Sequence, residues 1–400
     1  MESKLNVVKF KDFITLKRGY DLPTRKRKTG NVPVLSSSGI SGNHNEYKVD
    51  GPGVITGRSG LIGSVYYIRK EFWPLNTTLY VTDFKGNNPL YVYYKLKTIN
   101  LKNFATGSSV PTLNRNHLDS IDVNIHDKEK QKKQIFILEK IDKKINLNRQ
   151  IIANLEELSQ TLFKRWFVDF EFPDEDGNPY KSSGGEMIDS ELGEMPKNWK
   201  VNKLKEFTKK ISSGGTPSRK VKDYWEYGEI MWLKTKEVKE KMIVTTEENI
   251  TDLGLLKSSA KIINENSTVI AMYGATAGQI AYLGCKMATN QACCTIESEY
   301  PNFIYNYFVY NANYIKTLSS GSAQQNLNKK IIEDLKLLVP NLKVLNHYES
   351  SVNSNTSLIK SLTLSNLKLQ ELRDTLLPKL MSGEIEIPDD IEVNTDELSF

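Results

Sequence analysis

The sequence predicts an α+β chain built twice: two tandem globular domains of mixed α/β structure, each followed by a long helix. The two helices are expected to pair as an antiparallel coiled coil. Three observations predict this. An ordered series of matches recurs along the chain, short β-like runs alternate with turn residues in each copy, and each copy closes on a heptad stripe.

The matches come at two offsets. "NLEELSQTLFKRWF" (154–167) aligns with "KLQELRDTLLPKLM" (368–381), and "GSSVPTLNRNHLDSIDV" (107–123) with "GSAQQNLNKKIIEDLKL" (321–337), both 214 residues apart. Asn76 recurs as Asn290 at the same offset. Upstream the offset is 194: "LPTRK" (22–26) meets "TPSRK" (216–220), and Phe13 meets Phe207. The second copy therefore carries about 20 extra residues between these blocks.

In chain order, residues 1–125 form the first domain, with β-like runs such as "GVITGRSG", "GSVYYI" and "TTLYVTDF". Residues 126–170 read as one helix, because Leu138, Ile141, Ile145, Asn148, Ile152, Leu155, Ser159, Leu162 and Trp166 alternate spacings of three and four. Residues 171–198, acidic and rich in Pro, Gly and Ser, read as a linker. The second domain spans 199–340, with "STVIAMYG" and "GQIAYLG" as strand candidates. Residues 341–381 repeat the helical stripe through Val352, Asn355, Ile359, Leu362, Asn366, Leu369, Arg373, Leu376 and Leu380. Pro378 is expected to end or kink this helix. An acidic tail, 382–400, follows.

Neither stripe can be buried alone, so the helices should pair, with Asn148, Asn355 and Asn366 fixing register. About 43 residues at 1.5 Å rise make a rod of roughly 60 Å. An antiparallel pair would set the two domains toward opposite ends.

Composition narrows the function classes. The chain has 400 residues, suiting two or three domains, and its 39% hydrophobic content supports packed cores. No run of 18 apolar residues and no signal-peptide core occurs, so a soluble, cytoplasmic protein with no membrane partner is expected. Cys285, Cys293 and Cys294 lack metal-ligand spacing and are expected to fill a core. The net charge of +6 is unevenly spread. Residues 1–125 carry +9 and 199–340 carry +5, whereas 171–198 carry −6 and 381–400 carry −7. Two basic blocks between acidic connectors suggest polyanion contact in two places.

The glycines of "SGGTPSRK" (213–220) are not a nucleotide loop, because no Gly-Lys-Ser/Thr follows them. They read as a tight turn that carries cations toward a phosphate. A duplicated basic domain on a rigid spacer resembles a DNA-binding dimer fused into one chain. In the first copy the candidate DNA contacts are Arg25, Lys26, Arg27, Lys28, Ser37, Arg58, Ser59, Asn76 and Arg115. In the second they are Thr216, Arg219, Lys220, Lys234, Tyr273, Gln291, Gln324, Gln325, Asn326 and Lys329. Cations suit phosphates and guanine, and Asn or Gln suits adenine. No catalytic residue and no metal ligand is expected.

Here the chain resembles a known family, the specificity subunit of type I restriction–modification enzymes. "SGGTPSR", "YGATAGQI…ATNQAC" and "GSAQQNLN" look like landmarks of its second target-recognition domain. "NLEELSQTLFKRWFVDFEFPDEDGNPYKSSGGEM" is similar to its central conserved region, and "LQELRDTLLPKLMSGEI" to the end of its distal helix. The first copy departs from the pattern, since "RGYDLPTRKR" lacks the double glycine. The resemblance implies a non-catalytic subunit in which each domain reads half of a split target in double-stranded DNA and the helices set the spacer. It implies two methylation subunits docked on the helical region and restriction subunits joining them. S-adenosylmethionine and ATP would belong to those partners, with no cofactor in this chain. Leu162, Phe163, Trp166, Phe167 and Phe170 crowd one end of the first helix, and part of this set is expected to pack on a partner-subunit surface or to close against the second domain.

Three rivals explain less. A hydrolase or phosphotransferase built on the glycine turns lacks a P-loop and a metal-ligand cluster. A DNA methyltransferase with fused recognition domains needs [ND]-P-P-[YF], and "GNPY" (177–180) has one proline and lies in the linker. A protein-only coiled-coil adaptor leaves the basic domains unexplained.

Overall fold

A computed structural model describes residues 5–107, 111–239, 241–320 and 327–388. The chain divides into two compact units, residues 1–145 with 368–400, and residues 146–367.

In the first unit, strand Asn6–Lys9 runs antiparallel to Asp122–Ile125 and ties the globular part shut at its ends. The main sheet is antiparallel in the order Thr15–Arg18, Thr78–Asp83, Gly53–Gly57, Val65–Ile68. Gly53–Gly57 is buried at every position, as befits an apolar run at the sheet centre. A smaller sheet holds Val32–Ser36 between antiparallel Gly39–His44 and parallel Trp73–Pro74. Helix Pro89–Thr98 opens with proline in its first turn, and the Asn88 side chain accepts the Leu90 N–H at 2.8 Å. It buries Tyr91, Tyr94 and Leu96 against Phe10 and Phe13.

The second unit repeats that plan. Lys200–Lys203 pairs with Lys336–Val339, and the main sheet runs Lys210–Ser213, Cys293–Glu297, Thr268–Ala271, Ile280–Leu283. Ile230–Leu233 lies parallel to Met287–Thr289, matching the small sheet of the first unit. The extra residues of this copy add Met242–Ile243 to the edge of the main sheet and Ile262–Ile263 to the smaller one. Cys293 and Cys294 sit buried on a central strand, and burial raises both thiols, Cys294 to about 12.

Two long helices carry the stripes, Lys128–Phe167 and Leu342–Ser382. In the first unit the Gln134 amide donates to the Leu380 carbonyl (2.8 Å) and Arg373 to Asp142 (2.8 Å). In the second, Asn148 donates to Asn366 (2.9 Å) and the Tyr348 hydroxyl to the Ser159 carbonyl (3.4 Å). Within each unit, partners descend one helix as they ascend the other, so the pairing is antiparallel. Pro378 does not end the second helix. It stands on an exposed face one turn before the end, and Gly383, at φ +77°, closes the helix instead.

The segment read as an acidic linker is folded where it leaves the first long helix. Phe170 takes a left-handed φ of +60° in the position usually given to glycine, and the Glu171 N–H reaches back to the Arg165 carbonyl at 2.8 Å. The Phe170 ring, packed on Trp199 with centroids 5.5 Å apart, holds this strained residue in place. Phe172 stacks between Tyr180 and Trp199 at 4.6 and 5.3 Å, and Met187–Ser190 forms a hairpin with Gly193–Pro196.

Of the two expectations for Phe163, Trp166, Phe167 and Phe170, closure against the second domain is the one seen: all four are buried in the core of the second unit and are not a partner surface. Phe167 packs edge-on against Phe303 and Tyr348, each at 4.8 Å, and Trp166 lies 5.0 Å from His347. An aromatic excess beyond a two-helix seam is used because the helix end also packs on the globular domain. Trp166→Ala should therefore destabilise the second unit by about 3–5 kcal/mol, readable as a lowered denaturation midpoint in the chain without partners.

His126 is buried at the junction into the first long helix. Burial, then the charges of Lys95 and Lys130, lower its pKa to about 4. Because the folded value lies below the ordinary 6.5, stability is complete above pH 6.5 and falls as pH drops toward 4. At pH 5 the loss should be about 1–2 kcal/mol. Urea melts at pH 7 and 5 should show it, and His126→Gln should flatten the slope.

Candidate nucleic-acid interface

In each unit, equivalent loops gather at one end of the main sheet. The turn after Gly53–Gly57 is held by the Arg58 N–H on the Thr77 carbonyl (2.8 Å) and by the Leu113 N–H on the Arg58 carbonyl (2.8 Å). Met272 takes the place of Arg58 in the second unit, its N–H bonded to the Ala292 carbonyl (2.8 Å) and its carbonyl to the Leu327 N–H (2.9 Å). The loop that opens each domain reaches the same rim. Asn76 donates to Asp21 (3.0 Å) in the first, and the Thr216 hydroxyl donates to Gln291 at the matching place in the second.

The paired glycines serve this approach, not a left-handed turn. A Cβ on Gly214 would lie 1.9 Å from the Thr289 carbonyl oxygen, and one on Gly215 2.2 Å from the Ser259 hydroxyl and 2.6 Å from the Ala260 nitrogen. Gly19, one position away from Gly214 at the 194-residue offset, makes the equivalent contact in the first unit, where a Cβ would lie 2.2 Å from the Leu75 carbonyl oxygen. The first copy has thus kept the glycine that the close backbone contact requires.

Of the residues chosen from sequence, Arg58, Ser59 and Asn76 come together on the first rim, and Ser59 bridges Thr112. Arg115 opens the short helix Arg115–Leu118 beside it and donates to the Leu16 carbonyl at 3.3 Å. Ser37 is buried, so its expected place on an exposed turn is corrected. Its carbonyl accepts from Ser64 at 2.6 Å. Arg25, Lys26 and Lys28 are exposed on and beside the turn Thr24–Lys26, and Arg27 is tied to the Ser41 carbonyl at 2.7 Å. On the second rim Thr216 meets Gln291, and Tyr273 is 40% exposed on the turn after Thr268–Ala271. Lys329 opens the helix Lys329–Glu333 and pairs with Glu333 at 3.0 Å. Gln324, Gln325 and Asn326 lie outside the described residues.

Arg219 and Lys234 are not poised for phosphates. The Arg219 guanidinium lies 3.6 Å from the Trp225 ring centroid and makes a paired contact with Glu248, the shorter arm 2.7 Å. Lys234 reaches Glu247 at 3.0 Å and Glu248 at 3.2 Å. The Arg219 hydrogen bonds hold the Glu248 carboxyl below its ordinary range. Nearby carboxylates already neutralise these cations; only Lys220 of "SRK" stands exposed without an ion pair among the described residues.

Sequence reasoning missed Arg18. It lies exposed on the strand before Gly19, and its charge, after burial, lowers the Arg58 pKa. Neither arginine has a carboxylate partner among the described residues, so the rim holds a concentrated positive charge suited to a phosphate oxygen. The proximity of Arg18 to Arg58 across the sheet has no local signal in the sequence.

Among the described residues, no cluster of three or more His, Cys, Asp or Glu is placed to hold a metal ion, and no helix is long and apolar enough to cross a membrane. Arg219→Ala should destabilise the second unit by about 1–2 kcal/mol, by losing the ring stack and the paired contact. Alanine at Arg25, Lys26 and Lys28 together should leave stability within about 0.5 kcal/mol. Denaturant melts of both variants check the contrast.

Comparison with known proteins accords with this two-fold architecture. The family model for the type I restriction modification DNA specificity domain matches residues 2–157 and again 196–347. The type I restriction enzyme MjaIX specificity subunit of Methanocaldococcus jannaschii is 26% identical over 306 residues, covering 74% of this chain and 69% of the relative. The HindI specificity subunit of Haemophilus influenzae is 26% identical over 332 residues, covering 69% and 71%. Among solved structures, the S subunit of a type I restriction–modification system from M. genitalium shares the fold with a TM-score of 0.62. That match is 15% identical and covers 97% of both chains. Matched once in each of its repeats, the chain belongs to the type I restriction modification DNA specificity domain family.

Proposed function

We propose that this chain is the non-catalytic, sequence-specific DNA-binding subunit of a type I restriction–modification assembly, reading an asymmetric bipartite target. One observation carries the reading: the same rim is built twice on the same framework with different side chains. Arg58, Ser59 and Asn76 stand where the second unit has Met272, Tyr273 and Asn290, the last beside Gln291. Equal frameworks dock alike on a duplex, and unequal side chains select different bases. Phosphate contacts come from Arg18, Arg58, Arg25, Lys26, Lys28 and Lys220, and base contacts from Ser59, Asn76, Thr216, Tyr273 and Gln291.

The antiparallel helices serve as the spacer between half-sites. Two methylation subunits and the restriction subunits assemble on the chain and bring S-adenosylmethionine and ATP, in the cytoplasm. With Phe163, Trp166, Phe167 and Phe170 buried, their docking surface uses other residues of the helical region.

Removing one heptad from each helix at facing positions shortens the rod by about 10 Å, near three base pairs. The methylated motif in DNA from cells carrying the variant with its partners should keep both half-sites and change only the spacer. An unaltered motif would rule out the ruler. Duplex binding by the intact chain that does not weaken steeply with salt would rule out the DNA-binding reading itself.

A further inference from the structure

Among the described residues, two polar side-chain pairs closer than 3 Å cross the helix seams, which an apolar heptad pattern does not require; Asn355 and Ser159 lie farther apart, at 3.5 Å. In the second unit, Asn148 is fully buried and Asn366 nearly so, joined at 2.9 Å. In the first unit, Asp142 accepts from Arg373 at 2.8 Å and from the Tyr94 hydroxyl at 2.7 Å, with both charged side chains about one-fifth exposed. Each pair joins unlike repeats, because one member lies on the first long helix and the other on the second.

The repeat offset shows what the alternative would be. At 214 residues, Asn148 corresponds to Leu362, Ile152 to Asn366, Asp142 to Thr356 and Ser159 to Arg373. The repeats share a fold, so two chains could pair through two copies of the same helix in the same antiparallel register. In such a self-pair of the first helix, Asn148 would face Ile152 and Asp142 would face Ser159. In a self-pair of the second, Asn366 would face Leu362 and Arg373 would face Thr356. Two-fold symmetry would repeat each mismatch, leaving two buried amides unpaired and two charges without a counter-ion. The apolar stripe does not discriminate in this way, since it is common to both helices.

We infer that Asn148–Asn366 and Asp142–Arg373 form a pairing code by which the long helix of one repeat selects that of the unlike repeat and rejects a second copy of itself. A single polar seam residue fixes partner and register in coiled coils generally, at some cost in stability. Here the code keeps two different recognition domains on one pair of helices, where a self-pair would present two identical ones.

The test uses the full-length chain with Arg149→Cys as reporter, an exposed position beside Asn148. In a self-pair of the first helix the two reporters come to flank one seam. In the native pair the reporter faces the second helix. The chain is unfolded, refolded at high concentration and treated with a short bis-maleimide, and the 149–149 crosslink is counted by peptide mass spectrometry, which separates it from Cys285, Cys293 and Cys294. With the native seam the crosslink should be scarce. With Asp142→Asn, Asn148→Ile, Asn366→Leu and Arg373→Gln, matched in both arrangements and still offering Tyr94 an acceptor, it should rise at least about tenfold. A variant with native circular dichroism and melting that shows no rise overturns the inference. Should the four-site variant not fold, Asn148→Ile with Asn366→Leu carries the same comparison and the same two outcomes.

Discussion

The antiparallel helix seam is the contact on which the rest of this molecule depends. A helix of 40 residues with one apolar stripe leaves that stripe in water unless another helix covers it, and each long helix here covers the other. Each compact unit therefore contains a stretch of both helices. The core of the first unit joins Leu138 of one helix to Leu377 and Leu380 of the other, together with Phe10, Phe13 and Tyr91 of the globular part. The core of the second joins Phe163 and Phe167 to Tyr348, with Phe303 of the domain between them. Neither globular domain completes its core from its own contiguous sequence.

This arrangement separates constant parts from variable ones. The framework bonds recur in both units, from the strand pairs that close each domain to the backbone bonds that hold each rim. The glycine that lets the opening loop approach the strand end recurs too, as Gly19 and Gly214. What differs is the chemistry displayed on that frame: on the first rim, arginines with no carboxylate partner among the described residues, and on the second a hydroxyl, an amide and an exposed tyrosine. Rim side chains are free to differ because backbone bonds hold the turn beneath them, at Arg58 in one unit and at Met272 in the other.

Much of this was legible in the residues. The offsets of 214 and 194 held the duplicated topology and the place of the insertion, and the seam from Leu138 to Trp166 held the helix pairing. Asn148 and Asn366 read correctly as polar seam positions because a heptad count is local arithmetic. The failures share one cause. Arg219 and Lys234 looked like phosphate ligands because Glu247 and Glu248 lie far along the chain and meet them only through strand pairing. Phe163 to Phe170 looked like a partner surface because the domain residues that cover them, Phe303 and Trp199, are remote in sequence. Arg18 went unnoticed because its significance is its nearness to Arg58.

The sequence by itself determined what repeats along the chain: two domains of one fold, two heptad helices and the polar seam positions, all expressed in periodicities that survive without coordinates. Only the tertiary structure decided which cations remain unpaired, which aromatics are core and which asparagine meets which. Those outcomes depend on distances between residues far apart in the chain. Charge neutralisation and burial are properties of such pairs, and no single stretch of sequence contains them.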